Sequence, residues 1–375
     1  MVKAQDSIAI YIHVPFCGQR CHYCHFDIKV LHPSSPRSDW TERYVNALEH
    51  ELDSNAAVTS QTVHSVFFGG GTPSRLSLKD LERILSRIHT QFTLASDVEV
   101  TLEANPEDVT EDWARALLTM GISRVSLGIQ TFDDRSLTAI RRPHDSHRAL
   151  LALKALPEFL RGRSIDLMLG LPHQTRDGVE RDLKRVAEFG LEHVSVYMLE
   201  RDLPTPLDKC AYHRFTDDDL AEWYLLVADR LEHMGFVHYE ISNFARPGFM
   251  SRHNLTYWRG ENYLGLGPAA HGRVGLDYRA NHAQLTPWRD AVNASGFGTA
   301  EHTVWTPVQA RQEATAMALR LAEGVSQASL TPAQVGLFQQ WVDTGHAAQV
   351  GEHWRLTRQG WLISNLLISE LETML

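Results

Sequence analysis

The stretch Cys17-Gly-Gln-Arg-Cys21-His-Tyr-Cys24 places three cysteines at C-x3-C-x2-C spacing, directly after a predicted strand at residues 8–14. Three thiolates at this spacing can hold one face of an iron–sulfur cluster and leave its fourth iron open. A closed zinc site takes four protein ligands, so zinc completed by His13, His22 or His25 is the alternative that spacing leaves open. In an α/β barrel this loop lies at the active-site end, where we expect a cofactor.

The composition describes an ordinary soluble globular protein. The chain has 375 residues, 43% apolar and 22% charged, which excludes a disordered or fibrous class. Its net charge of −10 argues against a general nucleic-acid binder. The four cysteines are too few for a disulfide scaffold, and the fourth, Cys210, is interpreted as an ordinary thiol. With no signal-peptide pattern and no transmembrane run, we expect a cytoplasmic protein.

Short apolar runs alternate with amphipathic stretches through the first two-thirds of the chain. Such repetition, with β-branched and apolar strands, is typical of a parallel sheet covered by helices. The predicted strands are residues 8–14, 63–68, 98–102, 125–129, 165–169 and 194–199. Six units fall short of the eight in a closed TIM barrel. We therefore predict an α/β fold, an incomplete (β/α)6 TIM-like barrel, with a doubly wound open sheet as the less favoured alternative.

The repeating pattern ends after about residue 205, which suggests three regions. Residues 1–240 are assigned to the barrel, and residues 241–300 to a connecting segment that contains His253-Asn-Leu-Thr-Tyr-Trp258. Residues 301–375 are assigned to a smaller, mainly helical domain. Its last part, a short strand followed by an amphipathic helix, is compatible with a winged-helix-like module, although the net charge gives no support to DNA binding.

Glycines and polar residues follow the predicted strands. Successive glycines in Gly69-Gly-Gly-Thr72 let the backbone approach a charged ligand closely. Glu103 and Gln130 end the third and fourth strands, and Asp166 lies inside the fifth. A carboxyl group within an apolar strand is costly to bury without a partner, which favours a functional role. Arg142 is the cation expected to pair with such acids, and an internal ion-pair network that only stabilises the barrel is the alternative.

The cysteine motif resembles that of the radical S-adenosylmethionine (SAM) superfamily, C-x3-C-x-φ-C with an aromatic residue, here Tyr23, before the last cysteine. The resemblance implies a partial α/β barrel with a [4Fe–4S] cluster on Cys17, Cys21 and Cys24. It also implies SAM bound at the open iron, and an electron donor such as a flavodoxin or ferredoxin. In that superfamily the reduced cluster cleaves SAM to a 5′-deoxyadenosyl radical, so the cofactors carry the chemistry.

The resemblance extends over nearly the whole chain. Segments similar to oxygen-independent coproporphyrinogen III oxidase and the HemW-type heme chaperones are YIHVPFC, FFGGGTPS, LEANP, VSLGIQTF, IDLMLGLPHQT and LTRQGWLISN. The positions that this resemblance implies for SAM binding are Tyr11, Tyr23, Gly70, Gly71, Thr72, Glu103, Gln130, Arg142 and Asp166. In the oxidase several of them serve a second SAM, so the number of SAM molecules stays open.

Two departures favour the chaperone branch. The oxidase carries a further cysteine where this chain has Phe26, and a longer arm before the cysteine motif. The stretch 253–258 also fits H-N-x-x-Y-W, the heme signature of the chaperones, which implies a heme contact at His253. We therefore expect a protein that binds heme and transfers it to apo-haemoproteins. Oxidative decarboxylation of coproporphyrinogen III to protoporphyrinogen IX is the alternative activity, and no catalytic residue is assigned.

Overall fold

The computed structural model describes residues 6–31, 38–158, 160–202, 204–210 and 212–373. Within these ranges the strands are β1 (Ser7–Val14), β2 (Phe16–Cys17), β3 (Lys29–Val30), β4 (Thr62–Gly70), β5 (Leu94–Ala104), β6 (Arg124–Gln130), β7 (Gly162–Leu169), β8 (His193–Met198), β9 (Val237–Glu240), β10 (Asn243–Ala245), β11 (Tyr263–Leu266), β12 (His271–Val274), β13 (Asp277–Asn281), β14 (Thr299–Val304), β15 (Val325–Ser326), β16 (Ala347–Val350) and β17 (His353–Leu356). The α-helices are α1 (Ser38–Ala56), α2 (Leu78–Gln91), α3 (Glu111–Thr119), α4 (Asp134–Ala139), α5 (Ser146–Ala155), α6 (Arg176–Glu188), α7 (Asp217–His233), α8 (Arg252–Trp258), α9 (Leu285–Ser295), α10 (Pro307–Ala318), α11 (Pro332–Asp343), α12 (Arg358–Leu362) and α13 (Ser364–Thr373).

The six predicted strands form the parallel centre of the main sheet, as β1, β4, β5, β6, β7 and β8. Their order in space follows their order in sequence. A doubly wound sheet would reverse direction at a switch point, and these six strands have none. The incomplete α/β barrel is therefore confirmed, and the open-sheet alternative is wrong.

Alternation along the strands separates the helix-covered core from the barrel interior. In β1 the fully buried Ile8, Ile10 and Ile12 belong to the main hydrophobic core, which also includes apolar residues of α1 and α2. The residues between them, such as Tyr11, point to the opposite face. Ser77 caps α2 by accepting the backbone N–H of Asp80.

The sheet continues beyond the predicted strands on both sides. Strand β11 pairs in parallel with β1, placing Tyr263 opposite Ala9, and β12, β13 and β14 follow it in antiparallel order. On the other side β10 and β9 continue from β8. Local periodicity did not reveal these strands. Much of the region predicted as a connecting segment therefore belongs to the main sheet of the described chain.

The C-terminal region has its own small sheet and hydrophobic core. Strands β15, β17 and β16 form an antiparallel sheet beside α11, α12 and α13. Phe338, Trp341, Trp354 and Trp361 are buried together there. A helical region with a short antiparallel sheet agrees with the predicted winged-helix-like shape, while the boundaries at residues 240 and 300 stay predictions. No helix within the described ranges is long and apolar enough to span a bilayer.

The buried carboxylate of Glu51 links α1 to the strands that extend the sheet. It accepts hydrogen bonds from the backbone N–H groups of Gly267 and Gly298, at 2.8 and 3.0 Å. It also accepts from the indole of Trp288 and the amide of Asn281, at 3.1 and 2.8 Å. One acceptor therefore satisfies four donors from three separate chain segments.

Replacing Glu51 by alanine should lower the free energy of unfolding by about 3 kcal/mol, because it leaves buried donors without an acceptor. Urea unfolding followed by circular dichroism measures this loss. The control is Glu42→Ala at an exposed position of α1, expected to change stability by less than about 0.5 kcal/mol. Equal effects of the two substitutions would contradict a linking role for Glu51.

Candidate functional site

A cavity of about 420 Å³ opens at the carboxyl ends of the parallel strands. This is the end of an α/β barrel at which loops converge and ligands bind. The cavity brings together every residue predicted for the cluster and for SAM except Tyr11. Those residues are Cys17, Cys21, Tyr23, Cys24, Gly70, Gly71, Thr72, Glu103, Gln130, Arg142 and Asp166.

Hydrogen-bond donors surround the cysteine sulfurs. The Thr72 hydroxyl donates to Sγ of Cys17 at 3.3 Å, and Nη1 of Arg142 donates to Sγ of Cys21 at 3.5 Å. Burial raises the pKa of Cys17 to about 11 and also raises the pKa of Cys24. These thiols are therefore protonated at neutral pH without a metal, and metal binding has to displace their protons.

Cys17, Cys21 and Cys24 line one cavity, and thiolates are the ligands that an iron–sulfur cluster takes. No three side chains of His, Cys, Asp or Glu in the described ranges are arranged to hold one metal ion. A [4Fe–4S] cluster binds each thiolate through a separate iron, so its ligands stand farther apart. The residues present thus fit a cluster held by Cys17, Cys21 and Cys24, with the donors on sulfur as its outer shell.

Arg142 connects the cysteine loop to two strand ends. Its Nη2 donates to Oδ1 of Asn105 at 2.7 Å and to the carbonyl of Gly128. Its Nε is buried and has no partner among the described residues. A buried donor without an acceptor, at the wall of a cavity, indicates space for a ligand with an acceptor group.

Two of the three carboxyl groups that line the same cavity, those of Glu103 and Asp166, have raised pKa values. Burial, and secondly the neighbouring Asp166, raises the pKa of Glu103 to about 8. Burial also raises the pKa of Asp166, which accepts a hydrogen bond from Ser126 at 3.0 Å. Glu103 therefore holds its proton at neutral pH until a cation arrives. The cavity is therefore suited to a positively charged ligand.

Glycine is required for steric reasons at the end of β4 and in the loop that follows it. Gly70 has a φ of 105°, and a Cβ there would lie 2.7 Å from the His13 ring. A Cβ on Gly71 would lie 2.8 Å from the carbonyl oxygen of Phe16. The backbone can therefore line the cavity directly at these positions, as the prediction of a close ligand approach requires.

Tyr11 lies below the cavity rather than in its wall. Its ring stacks on Phe67 at 6.2 Å between centroids, and its hydroxyl lies 3.2 Å from Nδ1 of His13. A Cβ built on Gly69 would lie 3.1 Å from the Tyr11 ring and 3.2 Å from Glu103. Tyr11 is thus placed beneath Glu103, and a direct SAM contact at Tyr11 stays a prediction.

His253 is farther from the cavity, on α8. Its side chain is 1% exposed, and Nδ1 lies 3.1 Å from the Ser65 hydroxyl. Its Nε2 lies 2.7 Å from the hydroxyl of Tyr257. Both nitrogens are therefore occupied. Helix α8 packs near the starts of β4 and β5, where Glu99 accepts the backbone N–H of Arg252, at the end opposite the cavity.

Asn105 and Tyr197 are among the residues of the cavity wall that sequence reasoning missed. Asn105 directly follows the third strand and bonds to Arg142, and Tyr197 lies in β8. The available signal for Tyr197, as for Asp166, was a polar residue within an otherwise apolar strand. Cys210 lies outside the cavity, in a small apolar cluster with Tyr23.

Comparison with known proteins assigns the family. The radical SAM superfamily matches residues 11–186. Heme chaperone HemW of Bacillus subtilis is 36% identical, over 84% of this chain and 84% of that protein. Heme chaperone HemW of Mycobacterium tuberculosis (strain CDC 1551 / Oshkosh) is 33% identical, over 98% of this chain and 95% of that protein. The chain belongs to the HemW family of the radical SAM superfamily.

A solved structure agrees with this family at the level of the fold. The Escherichia coli coproporphyrinogen III oxidase HemN, described as a radical SAM enzyme, superposes with a TM-score of 0.86. The match covers 99% of this chain and 91% of that chain at 22% identity. Radical SAM membership implies a [4Fe–4S] cluster and SAM, which agrees with the thiols, glycines and carboxyl groups that line the cavity.

Substituting Cys17, Cys21 or Cys24 by alanine should abolish the cluster, because each variant removes one thiolate ligand. The measurements are the brown visible absorbance and the iron content after anaerobic reconstitution. Cys210→Ala is the control and should retain the wild-type iron content. Loss of iron in Cys210→Ala alone, or zinc in place of iron in the wild type, would contradict the assignment.

Binding of cationic SAM near neutral pH should release a proton from Glu103. With a pKa of about 8, Glu103 is mostly protonated at pH 7, and the cation favours its charged form. Calorimetry of SAM binding, in buffers of different ionisation enthalpy, measures the protons released by cluster-loaded protein. Wild type should release about one proton more than Glu103→Gln at pH 7 and about a tenth of a proton more at pH 9. An equal difference at both pH values would contradict this.

Proposed function

We propose that this protein is a cytoplasmic heme chaperone that binds heme and transfers it to apo-haemoproteins. The main support is its similarity to proteins named heme chaperone HemW over nearly the full length of both chains. The cavity supports it further, because its lining supplies three thiols and a polar wall for the cofactors that the family implies.

We assign the cluster to Cys17, Cys21 and Cys24, and SAM to the adjoining wall. When bound, the cluster and SAM supply one-electron chemistry, with an electron donor such as a flavodoxin or ferredoxin. The protein side chains position the ligands. Glu103 and Asp166 attract the cationic ligand, and Arg142 holds the cysteine loop against the ends of β5 and β6. Tyr23, within the cysteine loop, lines the cavity.

Gly70, Gly71 and Thr72 present backbone and hydroxyl groups to the same ligand in this proposal. Gln130, the last residue of β6, has a backbone φ of 72°, which residues other than glycine rarely adopt. Backbone strain of this kind is commonly kept where a residue has to point at a ligand. We include Gln130 and Tyr11 among the SAM-binding residues on the family resemblance.

Heme contact at His253 remains a prediction. For its imidazole to reach iron, the hydrogen bonds to Ser65 and Tyr257 have to break and α8 has to move away from β4. In this proposal the motif 253–258 therefore contributes to heme binding only in an opened state of the protein.

Oxygen-independent coproporphyrinogen III oxidase is the second candidate function. The observation that favours it is that the cavity contains every residue expected for SAM except Tyr11, since radical chemistry on a propionate would need the same SAM site. Phe26 argues against it, because the oxidase carries a cysteine at this position. Phe26 lines the cavity and is 50% exposed.

Cluster-loaded protein should bind ferric heme and transfer it to apomyoglobin. The transfer should be faster than the aggregation of free heme, and the protein should not consume coproporphyrinogen III. Both activities are measured on one anaerobic preparation, with SAM and dithionite added to the porphyrinogen assay. Absorbance follows the heme transfer, and chromatography follows protoporphyrinogen formation after oxidation.

A preparation stripped of cluster is the control for the contribution of iron and SAM. Protein that decarboxylates coproporphyrinogen III would establish the oxidase instead. A fully loaded wild type that binds no heme would overturn the proposed function.

A further inference from the structure

The inner face of the added strands carries a cluster of ring and cationic side chains. Tyr263 of β11 pairs with Ala9 of β1 and with Arg273 of β12, so Arg273 shares the face that lines the barrel interior. Arg273 pairs in turn with Tyr278, and His271 lies two residues before it on the same face. The inner-face cluster, as we call it, consists of His271, Arg273, Tyr278 and Trp305.

The inner-face cluster contains a pair of stacked aromatic rings with a cation over one of them. The rings of Tyr278 and Trp305 stack with centroids 5.3 Å apart and planes inclined by 11°. The guanidinium carbon of Arg273 lies 5.3 Å from the centre of the Trp305 ring. Stacked aromatic rings complement a porphyrin plane, and a guanidinium complements a propionate.

His271 is held as a metal-ligating histidine usually is. Its side chain is exposed, and its Nδ1 is hydrogen-bonded to the Tyr278 hydroxyl. Among the residues that the structure describes, its Nε2 has no hydrogen-bond partner. An imidazole with one nitrogen bonded and the other open is oriented for an axial position. The buried His253, with both nitrogens bonded, lacks this property.

The inner-face cluster shares its face of the sheet with His13 of β1. Burial, and secondly the nearby His271, lowers the pKa of His13 to about 4. The His13 ring packs against Gly70, which lines the cavity. Glu301 and Glu313 lie near Tyr278, so this surface carries carboxylates as well as the guanidinium of Arg273.

We propose that heme docks on the inner-face cluster, with Nε2 of His271 as an axial ligand of the iron. The stacked rings of Tyr278 and Trp305 contact the porphyrin, and Arg273 lies beside a propionate. This inference rests on the proposed function, because heme is the cargo named there.

Titration of ferric heme into anaerobic, cluster-loaded protein tests the site. His271→Ala should bind heme about tenfold more weakly and lose the imidazole-ligated spectrum in electron paramagnetic resonance. Free imidazole should restore that spectrum. The matched control is His302→Ala, an exposed histidine paired with Asp277 on the opposite face, which should bind heme as the wild type does.

The outcomes separate the two proposals. A wild type that binds no heme overturns the proposed function and this inference together. A His271→Ala protein with wild-type affinity and spectrum overturns the inference and leaves the proposed function standing. Iron content and SAM binding check that the variant is folded. If the iron content or SAM binding of His271→Ala falls, Tyr278→Phe is tested in its place. An unchanged spectrum of imidazole-bound heme in Tyr278→Phe then overturns the inference.

Discussion

The charge of Arg142 is the constraint on which the cavity depends. The residues that line the cavity include three carboxyl groups, three thiols and the guanidinium of Arg142. Burying so many acidic groups is unfavourable unless a cation is present or the groups keep their protons. The raised pKa of Glu103 shows the second solution. A sulfonium ligand provides the first, so the positive charge of the expected cofactor suits the acidic lining of the cavity.

The parallel centre of the fold could be predicted because its strands are covered on both faces and therefore read as apolar runs. The strands that flank this centre could not be predicted. Strand β14 (TAEHTV) is almost entirely exposed and carries no such run. The partner of β1 on its second edge is β11, far along the chain, and periodicity reports only local structure. The domain limits drawn from the repeat pattern consequently placed strands of the main sheet in a connecting segment.

The part of the site that could be predicted is the part formed where parallel strands end at one edge of the sheet. Cysteine spacing and polar strand ends located the cavity wall, because those positions converge whatever the details of packing. Depth along a strand was not predictable. Tyr11 lies on the correct face but below the cavity, and the place of His253 depends on how α8 packs against β4, to which Ser65 belongs. Such arrangements are set by register and long-range packing.

The pairing of β1 with β11 has a consequence for synthesis of the chain. The edge of β1 that faces β11 has no partner until Tyr263 and its neighbours leave the ribosome. At ordinary elongation rates that delay is on the order of ten seconds or more. During it, an apolar strand with open N–H and C=O groups is exposed to other nascent chains. Completion of this barrel is therefore a late event in translation. Prematurely terminated chains would retain an unpaired edge strand that is prone to aggregation.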